Sequence, residues 1–581
     1  MKKTFKRVVA LCVCLSMLAG FAGCGKKDPV VPLAPVGPSE AELTAVREGL
    51  IVKNEIAGLG TIDKMELYVL GERVTDTEIN MATDNKKIYW SGNVKRVVNY
   101  PDGYIVDIPT DWTPDYSLAE QRCRYDSDEV SFIASREDQA PGRYGGVKNY
   151  LSTMYQYVKS SAYHEANNIT VVQETTTSTV DDNWTMEVYR LKLEGAAAGV
   201  KCYYTYVDYY NDAQKTYHFM FKCVDDRSFE DVYNSFNATS KKGTNVNSKT
   251  YECKENPNWN DATKAHYAKL RTQTTVDWGL FAYRLQTTGW KATIPMLEKR
   301  IEFKFPIISE YVHYGPAGDH GAFPLDFSNT CAADGRMMQV SYQYTENNNT
   351  DLAGKSPALD IYRRTEESTQ VLTQFAQGAA QYGRTFYFRL NNEMNTDWTS
   401  YCGVANMLDP DIFVDSWIRL YDIFTETGAN QYAIWVFNGF DNSYPPFNWC
   451  DYRCYFPDAQ YVDMIGLTGY NFVTPEDTST WRSFDAIYTD IENAYKPLFG
   501  DWPWIISEFG CESSTDPNQS KAQWITEMFD CFAAGKFPNI KVAIWFNCSD
   551  YANGVVTNDL NLEKDKAVYT AFKDGIAKTQ P

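Results

Sequence analysis

Two glutamates, Glu393 and Glu508, stand out because each follows directly after an apolar, strand-like run of the sequence. Glu393 lies in the segment RLNNEMN (389–395), and Glu508 lies in the segment WIISEFG (504–510). A pair of carboxyl groups can cleave a glycosidic bond when one protonates the leaving oxygen and the other attacks the anomeric carbon. The acid must keep its proton near neutral pH while the nucleophile is ionised, so the two groups need different environments.

The elements that would position these glutamates begin at about residue 265, where eight short apolar runs recur. Most of these runs are separated by a stretch with helical spacing, such as 365–382 and 520–534. The runs are 279–283, 306–311, 337–342, 385–390, 431–437, 462–467, 504–507 and 542–546. Buried strands that alternate with helices are typical of parallel βα units, and eight such units predict an α/β fold of the (β/α)8 TIM-barrel type. The alternative is an open doubly wound sheet, which would normally carry a Gly-rich phosphate loop after its first strand.

In the predicted barrel, Glu393 follows strand four and Glu508 ends strand seven. Both would then lie at the C-terminal rim, where barrel enzymes build their active sites. Only the fold could bring them together, because 115 residues separate them in sequence (508 − 393). A single glutamate at a strand end is usually solvated or salt-bridged, but two in matching contexts favour the catalytic interpretation.

Residues 41–245 predict a smaller α+β domain with an antiparallel sheet, and its role is left open. Strand-like runs dominate it, and several alternate apolar and polar residues with period two (104–108, 186–193, 200–207 and 216–222). A helix over 228–236 would close it, with Ser228 as the cap. The pattern loosely resembles small PsbP-like α+β domains. Polar residues 246–264 predict a linker, and the barrel domain occupies 265–581.

The N-terminus predicts a targeting segment over residues 1–24. A basic start that includes Lys2 and Arg7 leads into an apolar run, 8–22, which is short for a permanent membrane-spanning helix. The end of this run resembles a bacterial lipoprotein signal with Cys24 as the lipidated first residue, and the Pro-rich residues 25–40 predict an extended tether. We expect an exported protein held by a lipid on Cys24 at the outer face of the bacterial cell membrane. A plain secretory signal is the alternative.

The composition limits the partners and cofactors of the chain. A formal net charge of −20 and a pI of about 4.8 argue against nucleic acid and disfavour anionic substrates. Because the chain has five histidines and the pair Cys450 and Cys454 lacks a second matching pair, no metal and no cofactor are predicted. Cys202 and Cys223, on neighbouring strand-like runs, are a candidate disulfide of an exported protein. A length of 581 residues predicts two or three domains, and we expect a monomer.

The sequence around the two glutamates resembles glycoside hydrolase family 26, in the clan of 4/7 barrel glycosidases, over about residues 265–577. The motifs that carry the resemblance are Arg389-x-x-Asn392-Glu393-Met394-Asn395-x-x-Trp398, the run 461–471 ending in Tyr470-Asn471, Ile506-Ser507-Glu508-Phe509-Gly510, Lys521-Ala522-x-Trp524 and Ile544-Trp545-Phe546-Asn547. This resemblance implies that Glu393 is the acid/base and Glu508 the nucleophile of a double displacement with retention.

The same resemblance implies roles for further residues. Tyr470 would hydrogen-bond Glu508 and orient it, and Arg389 would fix the carboxylates from below. Trp545 would form the floor of the sugar site and Trp398 would stack near the cleavage point, because pyranose rings present apolar C–H faces to flat aromatic rings. Each has a structural alternative: Trp545 as barrel core, Arg389 as an ion-pair partner, and Tyr470 packed away from Glu508.

Asn392 departs from the family pattern, which commonly has His immediately before the acid/base. In other families of the clan, an Asn at this position binds the sugar 2-hydroxyl, where hydrogen bonds strengthen in the transition state. Mannose carries an axial 2-hydroxyl, and glucose or xylose an equatorial one. The departure therefore bears on the choice of sugar and not on hydrolysis.

We accordingly expect a retaining endo-β-glycanase that acts on a plant-type polysaccharide, with β-mannan ahead of β-glucan and β-xylan. One alternative is a surface lipoprotein that binds glycans without turnover, and another is an exo-acting glycosidase or transglycosylase. The loop 441–458 is rich in aromatic residues and would either wall a cleft or pack against a neighbouring helix.

Overall fold

Eight parallel strands close into a barrel in the C-terminal part of the chain. The computed structural model describes residues 67–69, 72–74, 86–91 and 94–580, apart from 139, 182, 214, 316–320, 347–350, 474–479 and 553–554. The predicted signal segment with Cys24 and the Pro-rich tether lie outside the described residues. Among the residues described, no helix combines the length and the apolar character needed to cross a membrane.

The barrel strands coincide with the eight predicted apolar runs, so the predicted TIM barrel is confirmed. They are β14 (Asp277–Ala282), β15 (Ile307–His313), β16 (Met337–Gln343), β17 (Phe386–Leu390), β18 (Ala433–Phe440), β19 (Met464–Asn471), β20 (Trp504–Cys511) and β21 (Ile540–Asn547). We refer to β14–β21 as barrel strands one to eight. Strand one pairs in parallel with strand two and with strand eight, which closes the sheet.

Helices cover the outside of the barrel and connect most of its strands. They are α5 (Asp261–Thr272), α6 (Ile294–Ile301), α7 (Leu325–Ala333), α8 (Pro357–Tyr362), α9 (Glu366–Tyr382), α10 (Pro410–Thr427), α11 (Phe484–Phe499), α12 (Lys521–Ala533) and α13 (Lys566–Thr579). Short 3-10 turns (Asn448–Cys450, Tyr452–Tyr455 and Ala459–Tyr461) connect strands five and six. A hairpin, β22 (Ser549–Ala552) and β23 (Val555–Asp559), follows strand eight.

Local sequence signals fix the ends of these helices. At the start of α9, the Thr365 side chain accepts a hydrogen bond from the Ser368 amide, and Gly383 ends the helix with a φ of 63°, which suits glycine. At the start of α12, Ser520 and Gln523 form a capping box. The predicted helical stretches 365–382 and 520–534 therefore match the structure to within a residue at each end.

The lower half of the barrel is filled by inward-facing apolar residues. Ile307, Tyr387, Ile434, Ile505 and Ile544 belong to one buried cluster, as alternation along each strand requires. Trp259, from the predicted linker, belongs to the same cluster and donates its indole N–H to the Ala433 carbonyl at 2.8 Å. This packing leaves the opposite, C-terminal end of the barrel to the polar residues of the site.

The N-terminal part is built from antiparallel sheets, as predicted for the α+β domain. Its strands are β1 (Leu67–Val69), β2 (Glu72–Val74), β3 (Lys86–Ser91), β4 (Val94–Asn99), β5 (Tyr104–Pro109), β6 (Thr113–Asp115), β7 (Cys123–Asp126), β8 (Val130–Glu137), β9 (Ile169–Asp181), β10 (Trp184–Leu193), β11 (Tyr203–Tyr210), β12 (Thr216–Cys223) and β13 (Asn237–Ala238). They form a hairpin, β1-β2, a four-stranded sheet, β13-β5-β4-β3, and a seven-stranded sheet, β6-β7-β8-β12-β11-β10-β9. Its helices are α1 (Ala140–Arg143), α2 (Val147–Met154), α3 (Ser161–Asn167) and α4 (Glu230–Tyr233).

Aromatic residues dominate the core of this N-terminal part. Phe132 and Phe221 stack with ring centroids 4.4 Å apart, and Phe236 stacks on Tyr209 at 3.9 Å. The predicted closing helix over 228–236 is the shorter α4, which lies within that range.

The chain divides into two compact units that are interleaved in sequence. One comprises the described residues up to Tyr150 together with Thr170–Lys192 and Ala198–Ser248. The other comprises Leu151–Ile169, Leu193–Ala197 and the chain from Lys249 onward. The predicted domain of residues 41–245 contains both short segments of the barrel unit, so its bounds do not match those of either compact unit.

Side-chain contacts explain why α3 belongs with the barrel unit. The Tyr163 hydroxyl donates to the Ala405 carbonyl at 2.6 Å. Asn167 donates from its amide nitrogen to the Gly354 carbonyl at 2.9 Å and accepts at Oδ1 from the Ser356 amide at 2.7 Å. These hydrogen bonds join α3 to the loops that follow barrel strands three and four.

The candidate disulfide between Cys202 and Cys223 is wrong for this structure, in which neither residue forms a disulfide. The Cys223 sulfur donates to the Asp225 carbonyl at 2.9 Å, whereas the Cys202 sulfur lies 4.0 Å from the Val224 carbonyl. None of the described cysteines forms a disulfide, and this includes Cys450 and Cys454.

Candidate active site

Glu393 leaves barrel strand four through an unusual backbone conformation. The strand ends at Leu390, and both Asn391 (φ 49°) and Glu393 (φ 58°) adopt the left-handed region, which is rare for residues with a side chain. Neighbouring backbone holds the turn in place, because the Glu393 amide donates to the Asn438 carbonyl at 2.9 Å. Strain at such a position is commonly found at functional sites, where the surrounding structure over-determines it.

The environment of Glu393 favours a protonated carboxyl. Burial, and secondly the neighbouring charge of Glu508, raise the pKa of Glu393 to about 8, while the hydrogen bond from Trp398 acts in the opposite direction. The Trp398 indole nitrogen donates to Glu393 Oε2 at 2.9 Å. Near neutral pH this carboxyl therefore keeps a proton that it can donate.

Glu508 lies in an irregular part of barrel strand seven. Relative to strand six, one extra residue of strand seven lies between Ile506 and Glu508, and the pairing with strand eight slips between Ile506 and Phe509. Irregularities of this kind re-aim side chains and are frequent next to active sites. Here the irregularity accompanies a carboxylate that faces inward at the rim.

Three donors converge on the Glu508 carboxylate. The Tyr470 hydroxyl donates to Oε1 at 2.6 Å, and Arg389 donates from Nη1 to Oε2 at 2.9 Å. The Tyr311 hydroxyl makes a further short hydrogen bond to Oε2. Donors to a carboxylate fix its orientation and interact favourably with its negative charge. Glu393 and Glu508 therefore lie in contrasting environments.

Arg389 is completely buried and contacts the Glu508 carboxylate. Its Nε donates to Ser341 Oγ at 2.8 Å and its Nη1 to Asn438 Oδ1 at 3.2 Å, in addition to the ion pair with Glu508. Its guanidinium carbon lies 5.0 Å from the ring centroid of Tyr311. These contacts on strands two, three, five and seven hold the guanidinium in one position.

Asn392 is held by two residues that the sequence analysis did not single out. Its Oδ1 accepts from Gln343 Nε2 at 2.8 Å and from the Tyr401 hydroxyl at 3.3 Å. Because both contacts occupy the oxygen, the amide nitrogen is the polar group of Asn392 that remains to meet a ligand. The hydrogen bond from Gln343 Nε2 also distinguishes the oxygen of the Asn392 side-chain amide from its nitrogen.

The assignment of Trp545 to the floor of a sugar site is wrong for this structure. Its side chain has 0% exposed surface, and its indole N–H donates to the Leu560 carbonyl at 2.8 Å. Its ring packs edge-on against Phe509 and Phe572, on the outer side of the barrel wall. The side chain therefore has no face to offer a sugar.

Phe546, the next residue along strand eight, faces inward instead. Its ring stacks on Phe281 with centroids 4.6 Å apart and lies edge-on to Tyr311 and Tyr470, the two tyrosines that contact Glu508. Strand alternation accounts for this difference, since Ile544 belongs to the barrel core and residues two apart share a face. This alternation of inward-facing and outward-facing residues could have identified Phe546 from the sequence.

The sequence motifs did not indicate Tyr311 either, although the same alternation places its side chain inside the barrel. Ser309 faces inward and accepts a hydrogen bond from Gln339 at 2.9 Å, so Tyr311, two residues on, shares its face. Glu310 lies on the other face of the strand. Burial raises the pKa of Glu310 to about 7, and its carboxyl accepts a weak hydrogen bond from Gln286 at 3.4 Å.

Aromatic side chains surround the mouth of the barrel near Glu393. Trp398 lies edge-on to Phe440, with centroids 5.1 Å apart, and 6.0 Å from Tyr444. On strand six, Tyr470 stacks on Phe472 at 4.6 Å. These rings could contact the apolar faces of a bound sugar.

The loop 441–458 combines both of its predicted behaviours. Tyr444 lies at the mouth of the barrel near Trp398, while Tyr452 stacks on Tyr495 of α11 with centroids 4.1 Å apart. Trp449 and Phe456 are buried. Within the described parts of the chain, no three His, Cys, Asp or Glu side chains form a group that could hold a metal ion.

Comparison with known proteins relates part of this chain to enzymes. The chain matches no protein-family model. Over 219 residues, or 37% of its length, it is 28% identical to Endoglucanase H from Acetivibrio thermocellus. The matched stretch covers 22% of that protein, so the chain spans about a fifth of the curated relative's length.

Solved structures with similarity to the chain include two mannanases. The Bacillus subtilis mannanase BCman is 17% identical, with 54% of this chain and 91% of that chain covered and a TM-score of 0.36. The catalytic domain of the family 26 endo-β-1,4-mannanase from Bacillus sp. JAMB-750 is 13% identical, with 56% and 92% covered and a TM-score of 0.42. In part of its length, this chain is similar to glycoside hydrolases, with an endoglucanase among its relatives in sequence and family 26 mannanases among the similar structures.

Proposed function

We propose that the barrel is a retaining endo-β-glycanase that hydrolyses β-glycosidic bonds in a plant-type polysaccharide. The observation that carries this proposal is the contrast between the two carboxyl groups. Glu393 is buried with a raised pKa, whereas Glu508 accepts hydrogen bonds from Tyr311, Arg389 and Tyr470. A proton donor opposite an oriented carboxylate is the arrangement that glycoside hydrolysis requires.

In the first step, Glu393 donates its proton to the glycosidic oxygen as the bond from that oxygen to the anomeric carbon breaks. Glu508 attacks the anomeric carbon and forms a covalent glycosyl–enzyme ester. The leaving sugar departs with the proton as a new hydroxyl group. Tyr470 and Arg389 act as positioning residues, because each contacts a different oxygen of the attacking carboxylate.

In the second step, the ionised Glu393 accepts a proton from water while the water oxygen attacks the anomeric carbon. The ester bond to Glu508 breaks, and the sugar is released with its original anomeric configuration. Each glutamate returns to its starting state. Asn392 would contact the sugar through its amide nitrogen, since its oxygen is occupied by Gln343 and Tyr401.

β-Mannan is the first substrate to test, because the motifs around Glu393 and Glu508 resemble those of family 26. β-Glucan is second, since one relative of this chain is named an endoglucanase, and β-xylan is third. Incubating soluble forms of the three polysaccharides with the protein and measuring new reducing ends would identify the substrate. A parent protein that bound a polysaccharide but released no reducing ends would favour the glycan-binding alternative.

Glu508→Ala tests the nucleophile. We expect a loss of at least a thousandfold in kcat, because the covalent step would lack its attacking group. Glu310→Gln is the matched control, since it removes a buried carboxyl from the outer face of strand two. If Glu508→Ala released reducing ends as fast as the parent, the assignment would be overturned. Retention of configuration would be read by NMR of the initial product.

We further propose that the protein is exported and held at the outer face of the cell membrane by a lipid on Cys24, at the end of a signal over residues 1–24. The basic start, the short apolar run and the position of Cys24 support this proposal. Cys24→Ala should move the protein from the membrane fraction to a soluble one. If the variant stayed with the membrane in the same proportion as the parent, the lipid anchor would be wrong.

A further inference from the structure

Four exposed aromatic side chains lie at one end of the barrel. Tyr283, Trp398, Tyr444 and Phe472 are 60%, 43%, 54% and 39% exposed. They follow barrel strands one, four, five and six, respectively, so all four belong to the C-terminal rim. Among the described residues, these are the exposed large aromatic side chains, and none lies outside this rim.

The strand order places two of these residues on opposite sides of the mouth. In a closed barrel of eight strands, strand one lies across from strand five. Tyr283 directly follows strand one, and Tyr444 lies in the loop after strand five. A chain of sugars that contacted both would have to cross the rim, where Glu393 and Glu508 lie.

Hydrogen bonds and ring contacts indicate which side of the mouth would hold the leaving sugar and which side the retained sugar. Trp398, which lies 6.0 Å from Tyr444, donates its indole N–H to Glu393, the proposed proton donor to the leaving oxygen. This side therefore faces the departing sugar. On the other side, Phe281 lies on strand one beside Phe546 and Tyr311, and Tyr311 contacts Glu508.

Beyond the stacking already expected of Trp398, we propose that Tyr444 binds the sugar on the leaving side of the cleaved bond, and that Tyr283 binds a sugar on the retained side. This inference rests on the proposed function. Both sites would take pyranose rings, whose C–H faces pack against aromatic rings. A cleft with ring contacts on both sides of the cleaved bond binds the interior of a polysaccharide and cleaves it internally.

Two substrates distinguish sugar binding on the leaving side from sugar binding on the retained side. A polysaccharide occupies both, whereas an oligosaccharyl β-fluoride has no sugar on the leaving side, because fluoride is its leaving group. We expect Tyr444→Ala to lower kcat/KM on the polysaccharide by about threefold to tenfold and to leave the fluoride unchanged, as suits the loss of one aromatic contact. Tyr283→Ala should lower kcat/KM on both substrates by a similar factor.

Tyr569→Ala is the matched control, since it removes a tyrosine of α13 on the outside of the barrel and should change neither rate. The inference is overturned if Tyr444→Ala lowers both rates equally, or if neither rim variant differs from the parent while the parent cleaves the polysaccharide. A parent that cleaves neither substrate would instead overturn the proposed function, and with it this inference. Thermal unfolding of each variant checks that the substitutions at these exposed positions leave the fold intact.

Discussion

The indole nitrogen of Trp398 lies 2.9 Å from Oε2 of Glu393. A side chain at the rim that could contact sugar is thus bonded to the proposed proton donor. This hydrogen bond lowers the pKa of Glu393, against the larger effects of burial and of the Glu508 charge, which raise it. Under the proposed function, Trp398 would therefore act in proton transfer as well as in binding.

Trp398→Phe should slow the reaction and move its pH profile. We expect kcat/KM to fall about tenfold for the loss of one hydrogen bond. The pKa of Glu393 should rise further without this donor, so the basic limb of the profile should move to higher pH. Rates measured across the basic range would show the shift. Trp290→Phe, which removes an indole that packs against Phe327 and Arg336, should leave the pH dependence unchanged.

The parent enzyme should lose activity as pH rises through about 8. The acid must be protonated to act, and burial together with the charge of Glu508 raises the pKa of Glu393 to about 8. Glu310, whose pKa burial raises to about 7, could produce a similar limb. The variant Glu310→Gln distinguishes the two carboxyl groups, because a loss of activity that Glu393 causes should still occur at basic pH in this variant. A limb that vanished in Glu310→Gln would contradict the assignment of Glu393.

Tyr311→Phe should lower kcat by about tenfold to a hundredfold, since it removes one hydrogen bond to a charged carboxylate. KM should change less, because the hydroxyl contacts the protein and not the substrate. Tyr342→Phe is the control: its hydroxyl is buried and finds no hydrogen-bond partner among the described residues. Equal losses in the two variants would mean that Tyr311 contributes only to packing.

Asp463, at the start of barrel strand six, should make stability depend on pH. Burial raises its pKa to about 8, although its Oδ2 accepts a hydrogen bond from the Trp435 amide at 2.8 Å. The folded state then holds a proton that the unfolded chain loses near pH 4, so its stabilising contribution is complete below about pH 4 and is lost as pH rises to about 8.

Asp463→Asn removes this dependence while keeping an oxygen for the Trp435 amide. We expect the melting temperature of the variant, relative to the parent, to be higher near pH 8 than near pH 4. Melting curves of both proteins at the two pH values provide the measurement. A constant difference between them would show that Asp463 does not titrate in this range.

Much of the barrel could be predicted from the sequence because its signals are local. Apolar runs mark the strands, and residues such as Thr365 and Ser520 mark where helices begin. The positions of Glu393 and Glu508 on strands four and seven follow from counting those runs. The resemblance to family 26 supplied Tyr470 and Arg389, and both contact Glu508 in the structure.

Other features of the site depend on geometry that residue types do not encode. The left-handed conformation of Glu393 arises from contacts with strand five, and the contact between Gln343 and Asn392 joins positions 49 residues apart. Trp545 was misplaced because a matching motif does not state which way a strand residue faces. Alternation from Ile544 would have favoured Phe546.

The hydrogen bonds of α3 restrict how this protein could have been assembled or could be rearranged. Arg363 donates to the Asn167 carbonyl at 2.6 Å and to the Glu194 carbonyl at 3.3 Å, so both short segments that precede the barrel in sequence complete its surface. A gene fragment starting at Lys249 would encode every barrel strand but leave these partners behind. The barrel could therefore not be transferred to another protein without these two segments, and exchanging the N-terminal half for another would require a replacement for α3.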